Sequence, residues 1–228
     1  MKRLIALVSY NIHSNHLNYG AALHTYAFQQ YLKRHGIESV IIDYFPLALE
    51  GRSIKYPFLN FKHIGKVRDL LRHQVNFLGG FHSNLIKYRK FSEFFKCHTV
   101  KTIHCYTHQE LMSIPSIEQL PIDTFVCESD VIWKLYSRKG FDDVFFLNIP
   151  AAKNKRKVAY SPSLGSRPFD LEEEKIFKEL IKNFHGISTR EQPGAVYIQK
   201  LTGYDIDWVL DPTLLLDSND YDNIITPP

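Results

Sequence analysis

Four short segments hold the residue types best able to do chemistry. The first, Asn18-Tyr19-Gly20-Ala21-Ala22-Leu23, stands where an apolar run has just delivered the chain to a helix start. Small residues let a ligand approach the backbone, and the free N–H groups of a helix N-terminus favour an anion or a polar sugar. A tight turn packed on a sheet would use the same residues. The second segment is Glu128-Ser129-Asp130-Val131-Ile132-Trp133-Lys134. A carboxylate at a strand end can take the proton of a sugar hydroxyl, which makes Asp130 the candidate catalytic base; the competing role is a helix cap. Trp133 either stacks on a sugar face or belongs to the core. In the third, Ile187-Ser188-Thr189-Arg190-Glu191, the arginine follows a buried strand and precedes a helix. A guanidinium fixed there binds phosphate or carboxylate through two parallel hydrogen bonds; the alternative is a surface pairing of Arg190 with Glu191. The fourth segment, Val209 to Leu216, opens with Asp211-Pro212 directly after a strand, which reads as a turn. His98, His104, Cys105 and His108 are close in sequence, but their spacing fits no zinc pattern, and no metal is expected.

Regular elements must hold these segments in place. Leu4 to Tyr10 is a short apolar run that fits a strand covered on both faces. A helix carries Ala21, Leu23, Tyr26, Ala27, Gln30 and Leu32 to Arg34, with Gly36 as its stop. Glu38 to Tyr44 is a second strand. This strand–helix–strand unit has the span of a Rossmann-type repeat. Further strands are predicted at Asp123 to Glu128, Lys157 to Ser161, His185 to Ser188 and Ile206 to Leu210. Helices are expected around Phe91 to Phe95 and Thr107 to Leu111. Two more are expected at Leu171 to Asn183 and Pro193 to Leu201. The fold class is therefore α/β with a Rossmann-like parallel sheet. Ser161 to Asp170 is rich in Ser, Pro and Gly, which marks a seam between two domains. The expected division is residues 1–165 and residues 166–228, the second being a truncated start only.

Bulk properties exclude several classes. The 228 residues are 44% hydrophobic and 23% charged, as in a globular protein, and the net charge of +4 is too mild to imply nucleic acid. Residues 52–90 contain nine Lys/Arg and a single acid, Asp69, interleaved with aromatic residues. That stretch reads as a solvated helical excursion, or as a surface for an anionic glycan, a lipid pyrophosphate or a membrane face. No nucleic-acid-binding module accompanies it. Cys97, Cys105 and Cys127 have no pairing pattern and suit a reduced cytoplasmic protein. The apolar run after Lys2 and Arg3 is too short for a signal peptide.

Taken in order, the segments resemble a known family. Asn-Tyr-Gly-Ala-Ala-Leu from residue 18, Ser-Asp-x-Ile-Trp from residue 129 and Ala159-Tyr160-Ser161-Pro162-Ser163-Leu164-Gly165 are followed by Ser188-Thr189-Arg190-Glu191 and Leu210-Asp211-Pro212-Thr213. This succession is similar to that of the polysaccharide pyruvyl transferases. The resemblance implies a GT-B-like architecture of two Rossmann-like domains, with residues 1–165 on the acceptor side. It implies transfer of pyruvate from phosphoenolpyruvate to a sugar diol as a ketal, in surface or exopolysaccharide synthesis. No cofactor is implied beyond that donor. The acceptor would be a glycan or lipid-linked sugar, handled in the cytoplasm, with association to a membrane surface open. Arg190 would hold the donor anion, and Asn18, Tyr19, Gly20, Ser129 and Asp130 would face the cleft. Where the family usually has glycine, this chain has Glu128, a charged side chain where a ligand approaches. The family's later Arg and His segment would lie past residue 228, so the chain alone is expected not to turn over. Two other readings remain: a GT-B-like glycosyltransferase using a nucleotide sugar, and a non-catalytic remnant that binds glycan.

Overall fold

The computed structural model describes residues 4–10, 18–47, 67–113, 117, 120–136, 140–222 and 224, without the side chains of 67–81 and 84. Strand β1 (Leu4–Val8) leads to helix α1 (Tyr19–Arg34) and strand β2 (Glu38–Ile41). A long helix, α2 (Val67–His98), and a short one, α3 (His108–Ser113), precede β3 (Ile122–Glu128). Two 3-10 turns follow, then β4 (Arg156–Tyr160), α4 (Leu171–Ile181), β5 (Gly186–Thr189), α5 (Gln192–Thr202) and β6 (Asp207–Trp208). A 3-10 turn at Pro212–Leu214 and helix α6 (Ser218–Asp222) return the chain to α1. The basic stretch from residue 52 divides here: residues 52–66 lie outside the described residues, and the remainder forms most of α2.

All six strands are parallel and form one sheet in the order β2-β1-β3-β4-β5-β6. The chain is an α/β protein with a Rossmann-like arrangement. Both faces of the sheet are covered, which is why its strands read as continuous apolar runs. On one face α1 packs Phe28 and Leu32 against Leu7, Ile41 and Val126. On the other face Phe177 and Ile181 of α4 and Ala195 and Ile198 of α5 close over Ala6, Val8, Phe125, Cys127 and Ala159. Each buried Val, Leu, Ile or Phe among these contributes about 1.5–3 kcal/mol of hydrophobic stabilisation. Tyr44 donates to both carboxylate oxygens of Asp142 (2.9 and 2.8 Å), tying the chain after β2 to the start of the 3-10 turn Asp143–Phe146.

The segment 161–170, anticipated as a seam between domains, connects β4 to α4 within this sheet. β5 pairs directly with β4 (Val158↔Gly186, Ala159↔Ile187), so strands on both sides of residue 165 share one ladder. The Ser, Pro and Gly content has a local cause. The loop must turn sharply off the sheet edge, with Ser161 at φ 62° and Gly165 at φ 77°. A Cβ on Gly165 would lie 3.0 Å from Cγ1 of Val131, so the loop also passes close to the turn after β3.

Candidate functional site

The sheet order fixes where a site can form. From β1 the chain goes first to one side (β2) and later to the other (β3), so the order reverses between β1 and β3. Open α/β sheets bind ligands outside the carboxyl ends of the strands at such a reversal, where adjacent loops part. All five sequence segments lie at that edge. Asn18 opens α1 beyond β1, and Ser129 and Asp130 follow β3. The Ala159–Gly165 segment ends β4, Arg190 follows β5, and Asp211 follows β6.

The geometry centres on His24, a residue the sequence reading passed over. His24 lies on α1, is 3% exposed, and its Nδ1 is 3.0 Å from Oε2 of Glu128. Thr25, next to it on α1, donates from Oγ1 to Oε1 of Glu128 (3.0 Å). Glu128 is therefore not directed at an approaching ligand, as its replacement of a glycine suggested. It is fully buried between β3 and α1. Nε2 of His24 is buried, has no hydrogen-bond partner among the described residues, and lies 3.9 Å from Oδ2 of Asp130.

Burial opposes charge on the imidazole. The charge and hydrogen bond of Glu128, with Asp130 and Asp211 beyond, outweigh it and raise the His24 pKa. Burial also raises the Glu128 carboxyl, with His24 and Thr25 pulling the other way. Both shifts have one sense: the pair keeps a proton to higher pH than either group alone. A group whose pKa rises on folding adds stability below its unfolded value and loses it as pH climbs through the folded value. For His24 that loss begins above its ordinary value of 6.5. Urea unfolding across a pH series is expected to show stability falling above that point. The decline should flatten in His24→Gln.

A second cluster joins the far strands. Asp211 accepts from Ser129 Oγ (3.1 Å), Arg190 Nη1 (3.1 Å), Thr213 N (3.0 Å) and Thr213 Oγ1 (2.7 Å). Arg190 also donates from Nε to Glu191 (2.9 Å), so two of its donor atoms already face carboxylates. Asp211 is thus more than a turn former. Burial raises its pKa, but the bonds from Thr213 and Arg190 and the nearby His24 carry it below the usual range.

The backbone here is unusual. Ser129 (φ 46°), Asp130 (φ 58°) and Ser161 (φ 62°) all occupy the left-handed region without being glycine. Such conformations cost on the order of 1–3 kcal/mol each and persist where surrounding bonds over-determine them. The bonds are present: Ser129 N to Tyr160 O, Ser163 N to Asp130 O and Ile132 N to Asp130 O are each 2.9 Å. Asp130 caps no helix; its Oδ1 accepts from Val131 N (2.7 Å) within the turn.

The first segment is placed differently. Asn18 caps α1, accepting from Gly20 N (2.9 Å), and a Cβ on Gly20 would sit 3.3 Å from that same oxygen. Tyr19 is 66% exposed, rests against Phe91 (5.0 Å between centroids) and has Lys87 Nζ 5.2 Å from its ring centre. Trp133, the candidate sugar platform, belongs to the core: it is fully buried and stacked on Phe146. Of the His/Cys group, His104 contacts Glu110 (3.0 Å) and His98 packs on Tyr26 and Phe94. Among the described residues no set of His, Cys, Asp or Glu is placed to hold a metal, and no helix is long and apolar enough to cross a membrane.

Fold and site together define a doubly wound α/β protein with a histidine–carboxylate cluster at the reversal of its sheet. A family model for polysaccharide pyruvyl transferase matches residues 18–228. The chain belongs to that family. No curated protein matches it with significance.

Proposed function

We propose that this protein transfers pyruvate from phosphoenolpyruvate to two hydroxyls of a sugar in a surface or exopolysaccharide, releasing phosphate. The observation that carries this reading is the gathering of all five family segments at the carboxyl edge of the sheet. The chemistry asks for cations to hold the donor and bases to relieve the attacking hydroxyls of their protons. The described edge supplies acids in excess: Glu128, Asp130, Glu191 and Asp211 stand with Arg190 and His24. That balance suits neutral hydroxyls better than a polyanion, and favours this edge as the acceptor side. Asp130 and Ser129 would contact the sugar, with Asn18, Tyr19 and Gly20 forming the neighbouring wall. Arg190 would bring the donor anion to the acceptor. The donor needs no additional cofactor in this scheme. A cytoplasmic enzyme working at a membrane face, on a glycan or lipid-linked sugar, fits the basic stretch near residues 52–90.

The test is phosphate release from phosphoenolpyruvate by the full-length gene product, with galactose-, mannose- and glucose-containing acceptors and mass-spectrometric detection of the ketal. Ketal formation on one acceptor is expected. In Arg190→Ala the KM for phosphoenolpyruvate should rise about tenfold or more, the loss of one charge-assisted contact. Release of a nucleotide from a nucleotide sugar, with no ketal, would sink the reading.

A further inference from the structure

We propose that His24 is the general base for the acceptor, taking the proton of a sugar hydroxyl seated between its Nε2 and Asp130, with Glu128 as the positioning residue behind it. The inference rests on the pyruvyl-transfer reading and deepens it by naming the base and the hydroxyl's seat.

The geometry carries the argument. Glu128 uses Oε1 to accept from Thr25 and Oε2 to meet His24 Nδ1. Glu128 as a carboxylate only accepts, so in the neutral imidazole Nδ1 carries the proton and Nε2 presents a lone pair. Among the described residues that nitrogen is buried without a partner, a costly state that calls for an explanation. The 3.9 Å from Nε2 to Asp130 Oδ2 is too long for a direct hydrogen bond. The separation is that of two groups bridged by one hydroxyl oxygen about 2.8 Å from each, at an angle of roughly 90°. Among the described residues Ser9 Oγ and Tyr10 OH after β1, and Ser161 Oγ after β4, are also buried and without partners.

The proton count gives the base its task. In the addition step one hydroxyl oxygen bonds C2 of the enolpyruvyl group and a proton adds to C3. In the displacement the second hydroxyl bonds C2 as the C2–O bond to phosphate breaks. The two hydroxyl protons thus end on the new methyl carbon and on phosphate. His24 takes one of them as the displacing hydroxyl attacks, hands it to the departing phosphate and returns to neutral. An imidazole is a stronger base than a carboxylate, which gives it the advantage over Asp130 in this role. The groups facing it are Glu128 and Asp130 from β3 and its turn, and Asp211 from the segment after β6. All are acidic, so the imidazole is deprotonated only above its ordinary value, and the rate should climb with pH there.

The experiment is the pH dependence of kcat/KM for ketal formation in the full-length protein and in His24→Gln, Glu128→Gln and Asp130→Asn. Wild type should show an acid limb above pH 6.5, the ordinary histidine value. His24→Gln should lose about 10²–10⁴-fold and the limb with it. Glu128→Gln should fold, keep part of the activity and move the limb to lower pH, because one negative charge beside the imidazole is gone. A limb unchanged in His24→Gln or Glu128→Gln overturns the proposal while leaving pyruvyl transfer intact. A donor-free measurement separates the two ideas. The ¹⁵N resonance of His24 Nε2 should shift when a methyl galactoside, mannoside or glucoside is added to wild type. If no ketal forms, the reaction assignment fails on its own product assay. If no sugar moves the resonance, the seat for the hydroxyl fails.

Discussion

Trp133→Ala is expected to destabilise the protein by about 3–5 kcal/mol, the cost of removing a large aromatic side chain from a packed core. The ring is fully buried and stacks on Phe146 with centroids 5.4 Å apart and planes 7° from parallel. Phe177 and Phe184 meet it edge-on at 5.6 and 5.7 Å. Its Nε1 donates to the carbonyl of Phe145 (3.1 Å), so the truncation also removes a hydrogen bond from that carbonyl. The residue also borders the site: its backbone N donates to Ser163 O (3.2 Å), a bond that joins the turn after β3 to the loop after β4 and that alanine can still make. Urea unfolding would give the loss directly. Trp133→Phe should lose less than half as much, since stacking survives and the indole donor goes. If Trp133→Ala left stability unchanged and only weakened sugar binding, the tryptophan would be a ligand platform after all.

Asp211→Ala should cost about 2–3 kcal/mol, because four donors lose a charged acceptor at once. Ser129, Arg190 and Thr213 reach this carboxylate from three separate places along the edge. Arg190 would keep only Glu191, and Ser129 would lose its link to the segment after β6. The wild-type carboxyl has a lowered pKa, so its contribution is present above the ordinary value of 3.8 and is lost as pH falls through the folded one. Denaturation near neutral pH and at acid pH should therefore separate the two proteins at the first and bring them together at the second. Asp211→Asn, which keeps the acceptor oxygen for Thr213 and gives up the charge, should fall between. A neutral Asp211→Ala would mean the turn alone holds the edge.

The family segments were legible because each is local. Strand, turn and helix start are set by apolar runs, glycine and proline, and a ligand edge follows from the alternation of strand and helix. The elements appeared where the periodicity placed them, from β1 at Leu4–Val8 to α5 at Gln192–Thr202. Helix α1 shows where that logic failed. Its periodic residues were Ala21, Leu23, Tyr26, Ala27, Gln30 and Leu32. Of these Ala21, Tyr26, Ala27 and Leu32 are buried and Leu23 and Gln30 only partly so, while the buried face also takes in His24, Thr25, Phe28 and Gln29. A polar pair at the centre of a buried stripe is invisible to a count of hydrophobic residues. The available signal was Glu128, a carboxylate at the end of an otherwise apolar strand, which requires a buried partner.

By itself the sequence determined the parallel α/β fold, the five segments and the family, since these depend on local pattern and order. Only the tertiary structure decided that Trp133 is core, that the strands before and after residues 161–170 pair in one sheet, and that Asp211 ties Ser129 to Arg190. It also decided that His24 and Glu128, 104 positions apart, meet. The reason is physical. A hydrogen bond between distant residues is set by strand order and helix rotation, and neither is written in the spacing of the residues that share it.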